Sequence, residues 1–121
     1  MTKCILVVED TEDNRQILRD LLTSVGYEVI EALDGAAGVA LAERHRPDLI
    51  LMDMQLPVLD GYEASRRIKA QPDLAPIPII AVTSFALSGD EAKTREAGCD
   101  EYVAKPFSPR HLLGVIRSFL D

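Results

Sequence analysis

The chain has 121 residues, 47% of them hydrophobic and 27% charged, with a formal net charge of −7. That length and apolar share suit one globular domain with a buried core and leave no room for a second. The acidic balance disfavours direct contact with DNA or RNA, which asks for a basic face; no run is long and apolar enough to span a membrane, and Met1-Thr2-Lys3-Cys4 carries no signal-peptide pattern. Cys4 to Val8 reads as a short apolar strand, followed by a helix over Asp13 to Val25 with Leu18, Leu22 and Val25 on one face and Gly26 as its stop. Tyr27 to Glu31 is a second strand, and Asp34 to Arg44 a helix of small residues with Pro47 beyond its end. Leu49 to Met52 is an apolar strand. Asp60 to Ala70 is a helix opened by Asp60 with Glu63 three positions on, an acidic capping box. Ile77 to Val82 is a β-branched strand. Ser88 with Glu91 forms a capping box for a helix closed by Gly98, and Cys99 to Ala104 makes the fifth strand. Ser108 as N-cap and Pro109 at the first helical position start a last helix that runs to Leu120. Cys4 and Cys99 make no disulfide framework; both are expected to be small buried hydrophobes in a reduced, cytoplasmic protein.

Strands alternating strictly with helices imply an α/β fold, a parallel sheet covered on both faces. Right-handed crossovers leave few topologies, of which the flavodoxin-like doubly wound order 2-1-3-4-5 is the expected one at this size. In such a sheet chemistry gathers beyond the carboxyl ends of the strands, near the point where strand order reverses. The first strand ends in Glu9-Asp10, the third in Asp53, the fourth in Thr83 and the fifth in Lys105-Pro106. A single acid at a strand end is ordinarily a turn former, a lone lysine a surface charge and a threonine a strand-favouring residue. Together, at the active ends of neighbouring strands, they form a constellation. Carboxylates that share a pocket repel unless a cation intervenes. Oxygen ligands without Cys or His suit a hard ion such as Mg²⁺ rather than zinc. A carboxylate can attack phosphorus, and a lysine ammonium suits phosphoryl oxygens, so the parts fit phosphoryl transfer.

The stretches ILVVEDTEDN (5–14), ILMDMQLPVLDGYE (50–63), IIAVTS (79–84) and AGCDEYVAKPF (97–107) carry a resemblance over essentially the whole chain. The sequence resembles the receiver domain of a two-component response regulator, CheY-like and of the single-domain kind: residues 1–121 as one receiver with no output domain. The resemblance implies that Asp53 is the phosphoacceptor, and that Asp10 and Asp53 bind Mg²⁺ directly, with Mn²⁺ able to substitute. It implies that Glu9 holds the ion through water and that the backbone carbonyl of Gln55 is a further ligand. Thr83 and Lys105 would bind the phosphoryl group, Tyr102 would be the switch aromatic, and a cis peptide bond would join Lys105 to Pro106. Phosphorylation would bias the surface of the fourth helix, fifth strand and fifth helix toward a downstream protein of unknown identity, or the phosphoryl group would pass onward. The domain would assist its own phosphorylation and dephosphorylation without being an enzyme in the ordinary sense. The donor would be a sensor histidine kinase or histidine phosphotransferase. Asn14, Ile17 and Leu21 follow one edge of the first helix beside Asp10; with Phe107 they are expected to form the docking patch.

Departures and rivals sharpen the reading. Glu9 stands where many relatives carry Asp, and Ser84 where Ala is frequent. The resemblance implies that Gln55 and Phe85 flank the path of attacking water, and the bulk of Phe85 then predicts slow loss of phosphate. A haloacid-dehalogenase-like phosphatase would need an acid at position 55, which is Gln. A flavodoxin would need a hydroxyl-rich loop where Glu9-Asp10-Thr11-Glu12-Asp13 stands, whose charge repels phosphate. A docking module with a receiver fold that works without phosphorylation is the remaining alternative.

Overall fold

A computed structural model of the chain describes residues 2–83 and 90–121. The elements alternate: β1 (Cys4–Val8), α1 (Glu12–Ser24), β2 (Glu28–Ala32), α2 (Gly35–His45), β3 (Leu49–Asp53), α3 (Gly61–Lys69), β4 (Ile79–Thr83), α4 (Asp90–Glu96), β5 (Glu101–Ala104) and α5 (Pro109–Leu120). All neighbouring strands are parallel and the sheet order is β2-β1-β3-β4-β5, the flavodoxin-like arrangement expected from the alternation. The β3 and β4 runs are buried along their whole length, as central strands of a doubly covered sheet must be.

Strand alternation splits the core in two. Leu6, Val8, Ile50, Met52, Ile79 and Ala81 face one way, against Ala42 of α2 and Ala64 and Ile68 of α3. Ile5, Val7, Leu49, Leu51, Ile80 and Val82 face the other, against Leu18 and Leu22 of α1 and Leu112 and Ile116 of α5. A cation–π contact, with the Lys93 ammonium 4.9 Å from the centre of the Tyr62 ring, joins α4 to α3.

Local chemistry sets the ends of the elements, and several differ by a residue or two from the sequence reading. Gly26 and Gly98 both stand at φ 95°, each closing a helix. After α1 the N–H groups of Gly26 and Tyr27 donate to the carbonyls of Thr23 and Leu22. Tyr27 is thereby held in the helix stop and β2 begins at Glu28. After α4, Gly98 and Cys99 do the same with Arg95 and Thr94, so Cys99 does not open β5. Cys99 is buried with its thiol beside the Ser65 hydroxyl, whereas Cys4 is half-buried rather than part of the core. Val25 caps α1 and is exposed, so it does not extend the Leu18–Leu22 stripe. Ile77 lies outside β4: its N–H donates to Leu74, and Pro78 has no N–H to offer a ladder. Asp60 accepts from the N–H of Glu63, but the Glu63 carboxylate turns to Arg66 and Arg67, so only half of that box forms. Ser108 accepts from the N–H of His111 and starts α5 as expected. Ser84, Phe85 and the Ser88 capping position lie outside the described residues.

The start of α3 is pressed onto the end of β3. A methyl group on Gly61 would stand 2.2 Å from the carbonyl oxygen of Asp53 and 2.7 Å from Cα of Met54. Gly114, exposed in the middle of α5, would meet nothing within 4 Å. Gly61→Ala is expected to lower stability by about 3 kcal/mol through overpacking. Gly114→Ala should raise it by about 1 kcal/mol through helix propensity. Urea unfolding followed by circular dichroism measures both; equal effects would mean that the packing at Gly61 is not what fixes this loop.

Candidate functional site

Register brings the charged residues together. Val8 pairs with Met52, so Glu9 and Asp53 emerge side by side where β1 and β3 end. Asp53 pairs with Val82 and Thr83 with Ala104, which sets Lys105 just past the end of β5. Alternation then sorts these residues by face. Glu9, Asp53 and Lys105 follow Val7, Leu51 and Val103 toward the α1/α5 side, and Thr83 and Tyr102 follow Ala81 toward the α2/α3 side.

The Lys105 ammonium lies between two carboxylates, 3.1 Å from Oε1 of Glu9 and 3.1 Å from Oδ2 of Asp53. Glu9 is 2% exposed and Asp53 5%, so neither charge has water to rely on. Each is held by further donors. Oδ1 of Asp53 accepts the backbone N–H of Gln55 at 2.9 Å. Oε2 of Glu9 accepts the N–H of Thr11 at 3.1 Å, and Oε1 faces Nδ2 of Asn14 at 3.4 Å. Asp10 is exposed. It brings a third carboxylate, and one oxygen from each of Glu9, Asp10 and Asp53 lies within 4.8 Å of the others. Such an all-oxygen cluster, open on the Asp10 side, has the donor chemistry that a hard divalent ion takes. Burial alone would push the Lys105 ammonium down. The negative charge of Asp53 and the bonds to Glu9 and Asp53 outweigh that and hold it above the ordinary lysine value. On the lysine side the pairing therefore stabilises the fold fully at neutral pH and is lost as the pH climbs through that raised value.

Thr83 is completely buried at the end of β4, with its carbonyl accepting the N–H of Lys105 at 2.8 Å. Tyr102 is half-buried on β5 and packs against the α2/α3-side core. It also lines a shallow cavity of about 330 Å³ with His111 and Val115 of α5. The Lys105–Pro106 bond is cis. The Gln55 side chain is exposed, in the loop that leads from Asp53 to α3. In that loop Leu59 donates to Pro57 at 2.7 Å around Val58, whose φ of 68° is a strained value for a β-branched residue.

A groove of about 550 Å³ opens beside the carboxylates. Asn14, Ile17 and Leu18 of α1 form one wall, and Phe107 and Pro109 the other, with Glu9 and Lys105 at its inner end. Ile17 is 57% exposed and so is not core. Leu21 is half-buried, packs against the α1/α5-side core and is not among the walls.

Comparisons with known proteins agree with the geometry. The family model of the response regulator receiver domain matches residues 5–117. The chain belongs to that family. As a receiver it is 45% identical over 120 residues to the polar-differentiation response regulator DivK of Brucella ovis, covering 99% of this chain and 98% of that one. The receiver domain of the sensor histidine kinase PA1611 from Pseudomonas aeruginosa superposes with a TM-score of 0.93 at 43% identity, covering 99% and 98% of the two chains. That structure has a magnesium ion coordinated in its active site cleft. The chemotaxis protein CheY4 of Vibrio cholerae gives a TM-score of 0.93 at 28% identity, over 98% of this receiver and 99% of CheY4. The receiver is thus a two-component signalling domain, and among the described residues no helix is long and apolar enough to cross a membrane.

One participant escaped the sequence reading. Arg15 is buried and bonded to the carbonyl of Glu9. The signal was there: it precedes Leu18 and Leu22 by three and seven positions, which puts a charge in the burial stripe of α1. Asn14 also does more than border the groove, since its amide reaches the Glu9 carboxylate.

Removing the Lys105 charge leaves Glu9 and Asp53 facing each other without compensation. In metal-free protein Lys105→Met is expected to cost about 3 kcal/mol, the usual scale for breaking a buried ion pair. Adding Glu9→Gln to it should restore part of the loss. Urea unfolding of the single and double variants in chelator tests this; a double variant less stable than Lys105→Met would mean that charge repulsion is not the cause.

Proposed function

We propose that this receiver accepts a phosphoryl group on Asp53, from a phosphohistidine of a sensor kinase or histidine phosphotransferase, in an Mg²⁺-dependent reaction. The observation that carries the reading is the convergence of Glu9, Asp10 and Asp53 with the Lys105 ammonium already among them. Asp10 and Asp53 would hold the ion directly, Glu9 through water, and the backbone carbonyl of Gln55 would complete the protein's share; Mn²⁺ would substitute. The ion, when bound, supplies positive charge against the carboxylates and the phosphoryl oxygens.

The residues of the chain do the rest. The Gln55 N–H fixes the rotation of the Asp53 carboxylate, which keeps one orientation toward the donor. An oxygen of Asp53 attacks phosphorus; the new P–O bond forms as the donor's P–N bond breaks, and the electron pair stays on the imidazole nitrogen, which takes a proton. Lys105 then moves its ammonium from the Glu9–Asp53 bridge to a phosphoryl oxygen, and Thr83 gives that group a hydroxyl hydrogen bond. A threonine drawn toward the phosphoryl group leaves space that Tyr102 can fill, a two-state shift of the α4-β5-α5 surface. That surface would then bind a downstream protein, or the phosphoryl group would pass onward to a histidine. Water would eventually remove it, a step in which the receiver's own site takes part.

The groove fits the docking of the donor. A helical bundle laid along α1 would cover the exposed Ile17 side chain and bring its phosphohistidine to the inner end, where Lys105 sits bonded to Asp53. Asn14 and Phe107 line the same groove, and Leu21 would contribute only at its margin. A docking module indifferent to phosphorylation would need neither the carboxylate cluster nor a half-buried lysine bridging it.

Two measurements test this reading. With Mg²⁺ and acetyl phosphate, intact-mass analysis is expected to show one labile phosphoryl group per chain, absent in Asp53→Asn and in chelator; labelling of Asp53→Asn equal to wild type would refute the assignment. Ile17→Ala is expected to slow transfer from a protein phosphodonor about tenfold, the cost of a moderate interface contact. Labelling by acetyl phosphate should be nearly unchanged, and equal loss with both donors would make Ile17 a structural residue.

A further inference from the structure

Arg15 sits where an apolar residue would be expected, 7% exposed and in line with Leu18 and Leu22. A buried guanidinium is tolerated only when its donors find acceptors. Nη2 pairs with the Glu12 carboxylate, and Nε lies 3.4 Å from Oε1 of Glu31 on β2. Glu31 is itself held by Arg19, whose Nη1 is 2.9 Å from both of its carboxylate oxygens. Anchored on α1 and β2 in this way, Arg15 directs Nη1 at the main-chain carbonyl of Glu9, 3.0 Å away.

That carbonyl belongs to the peptide group joining Glu9 to Asp10, the two residues that supply two of the three clustered carboxylates. The N–H of Glu9 is also tied, donating to Ala32 at the end of β2 at 3.0 Å. Beyond Glu9 the chain leaves the sheet for α1, so no strand partner continues the ladder at this point. Rotation of the Glu9–Asp10 peptide would swing the Asp10 carboxylate away from Glu9 and Asp53. We infer that Arg15 is a positioning residue: its fork fixes the Glu9–Asp10 peptide so that the acidic cluster is set for a cation before one arrives. The inference rests on the metal-dependent reading proposed above.

A purely structural role would also satisfy a buried carbonyl, so the test must separate the two. Metal-free protein is titrated with MgCl₂ and followed by ¹H–¹⁵N NMR, with the thermal midpoint of each variant measured in chelator. Arg15→Met is expected to weaken Mg²⁺ about tenfold, the usual effect of removing a group that orients a metal ligand. Arg15→Lys, which keeps the charge but loses the fork, should fall between it and wild type. Ile68→Val, in the α2/α3-side core and away from the acidic cluster, supplies the purely structural control; it is expected to lower the thermal midpoint with Mg²⁺ affinity unchanged to within about twofold. Arg15 variants with a lower midpoint but wild-type Mg²⁺ affinity would overturn the inference alone. Should Arg15→Met not fold, unchanged affinity in Arg15→Lys overturns it equally. Wild-type protein that takes no Mg²⁺ would overturn the functional reading and this inference with it.

Discussion

Negative charges gathered at the end of a hydrophobic sheet repel one another, and the cost grows as water is withdrawn. Glu9 and Asp53 are both buried there, with Asp10 beside them. What makes the arrangement tenable in the folded chain is one ammonium, supplied by Lys105 from 96 and 52 positions away. That span ties the site to the topology. In this sheet, with β1, β3, β4 and β5 in that order, the residue after the last strand reaches back past β4 to Asp53 and Glu9. The acidic cleft and the parallel sheet therefore stabilise each other: the sheet brings the charges together, and the lysine that relieves them closes the sheet's far edge onto its centre.

The pieces of this were visible in the sequence to unequal degrees. Apolar runs such as Leu49 to Met52, with turn residues after them, announce buried strands, and the residue that follows each run is a candidate for the site. Which candidates meet is a matter of strand order, and there the alternation of strands and helices sufficed. Element ends were less readable because they turn on hydrogen bonds between residues of mixed preference. Tyr27 and Cys99 look like strand residues, yet their N–H groups are taken by the carbonyls of Leu22 and Thr94. Arg15 was hidden for a different reason. A charged residue in a helix is read as a solvated one unless its phase against the apolar stripe is followed, and its partner is a main-chain carbonyl that no side-chain pattern reveals.

Asn14 and Arg15 show how densely the first turns of α1 are used. Adjacent on the helix, they point in different directions, one amide to the Glu9 carboxylate and one guanidinium to the Glu9 carbonyl. Glu9 reaches Lys105 with a side chain one methylene longer than an aspartate's. The extra reach adds a rotatable bond, and the donors from Thr11, Asn14 and Lys105 remove the freedom it brings.

The sheet also works as a partition. Glu9, Asp53 and Lys105 share a side with α1 and its exposed Ile17, while Thr83 and Tyr102 belong to the side packed by α2 and α3. The partition is not complete, because Tyr102 packs on the α2/α3-side core and also lines a cavity with His111 and Val115 of α5. Ile17 belongs to neither core, so over evolutionary time its position can change without repacking the interior. Duplicated copies can then diverge in what α1 presents while keeping one interior.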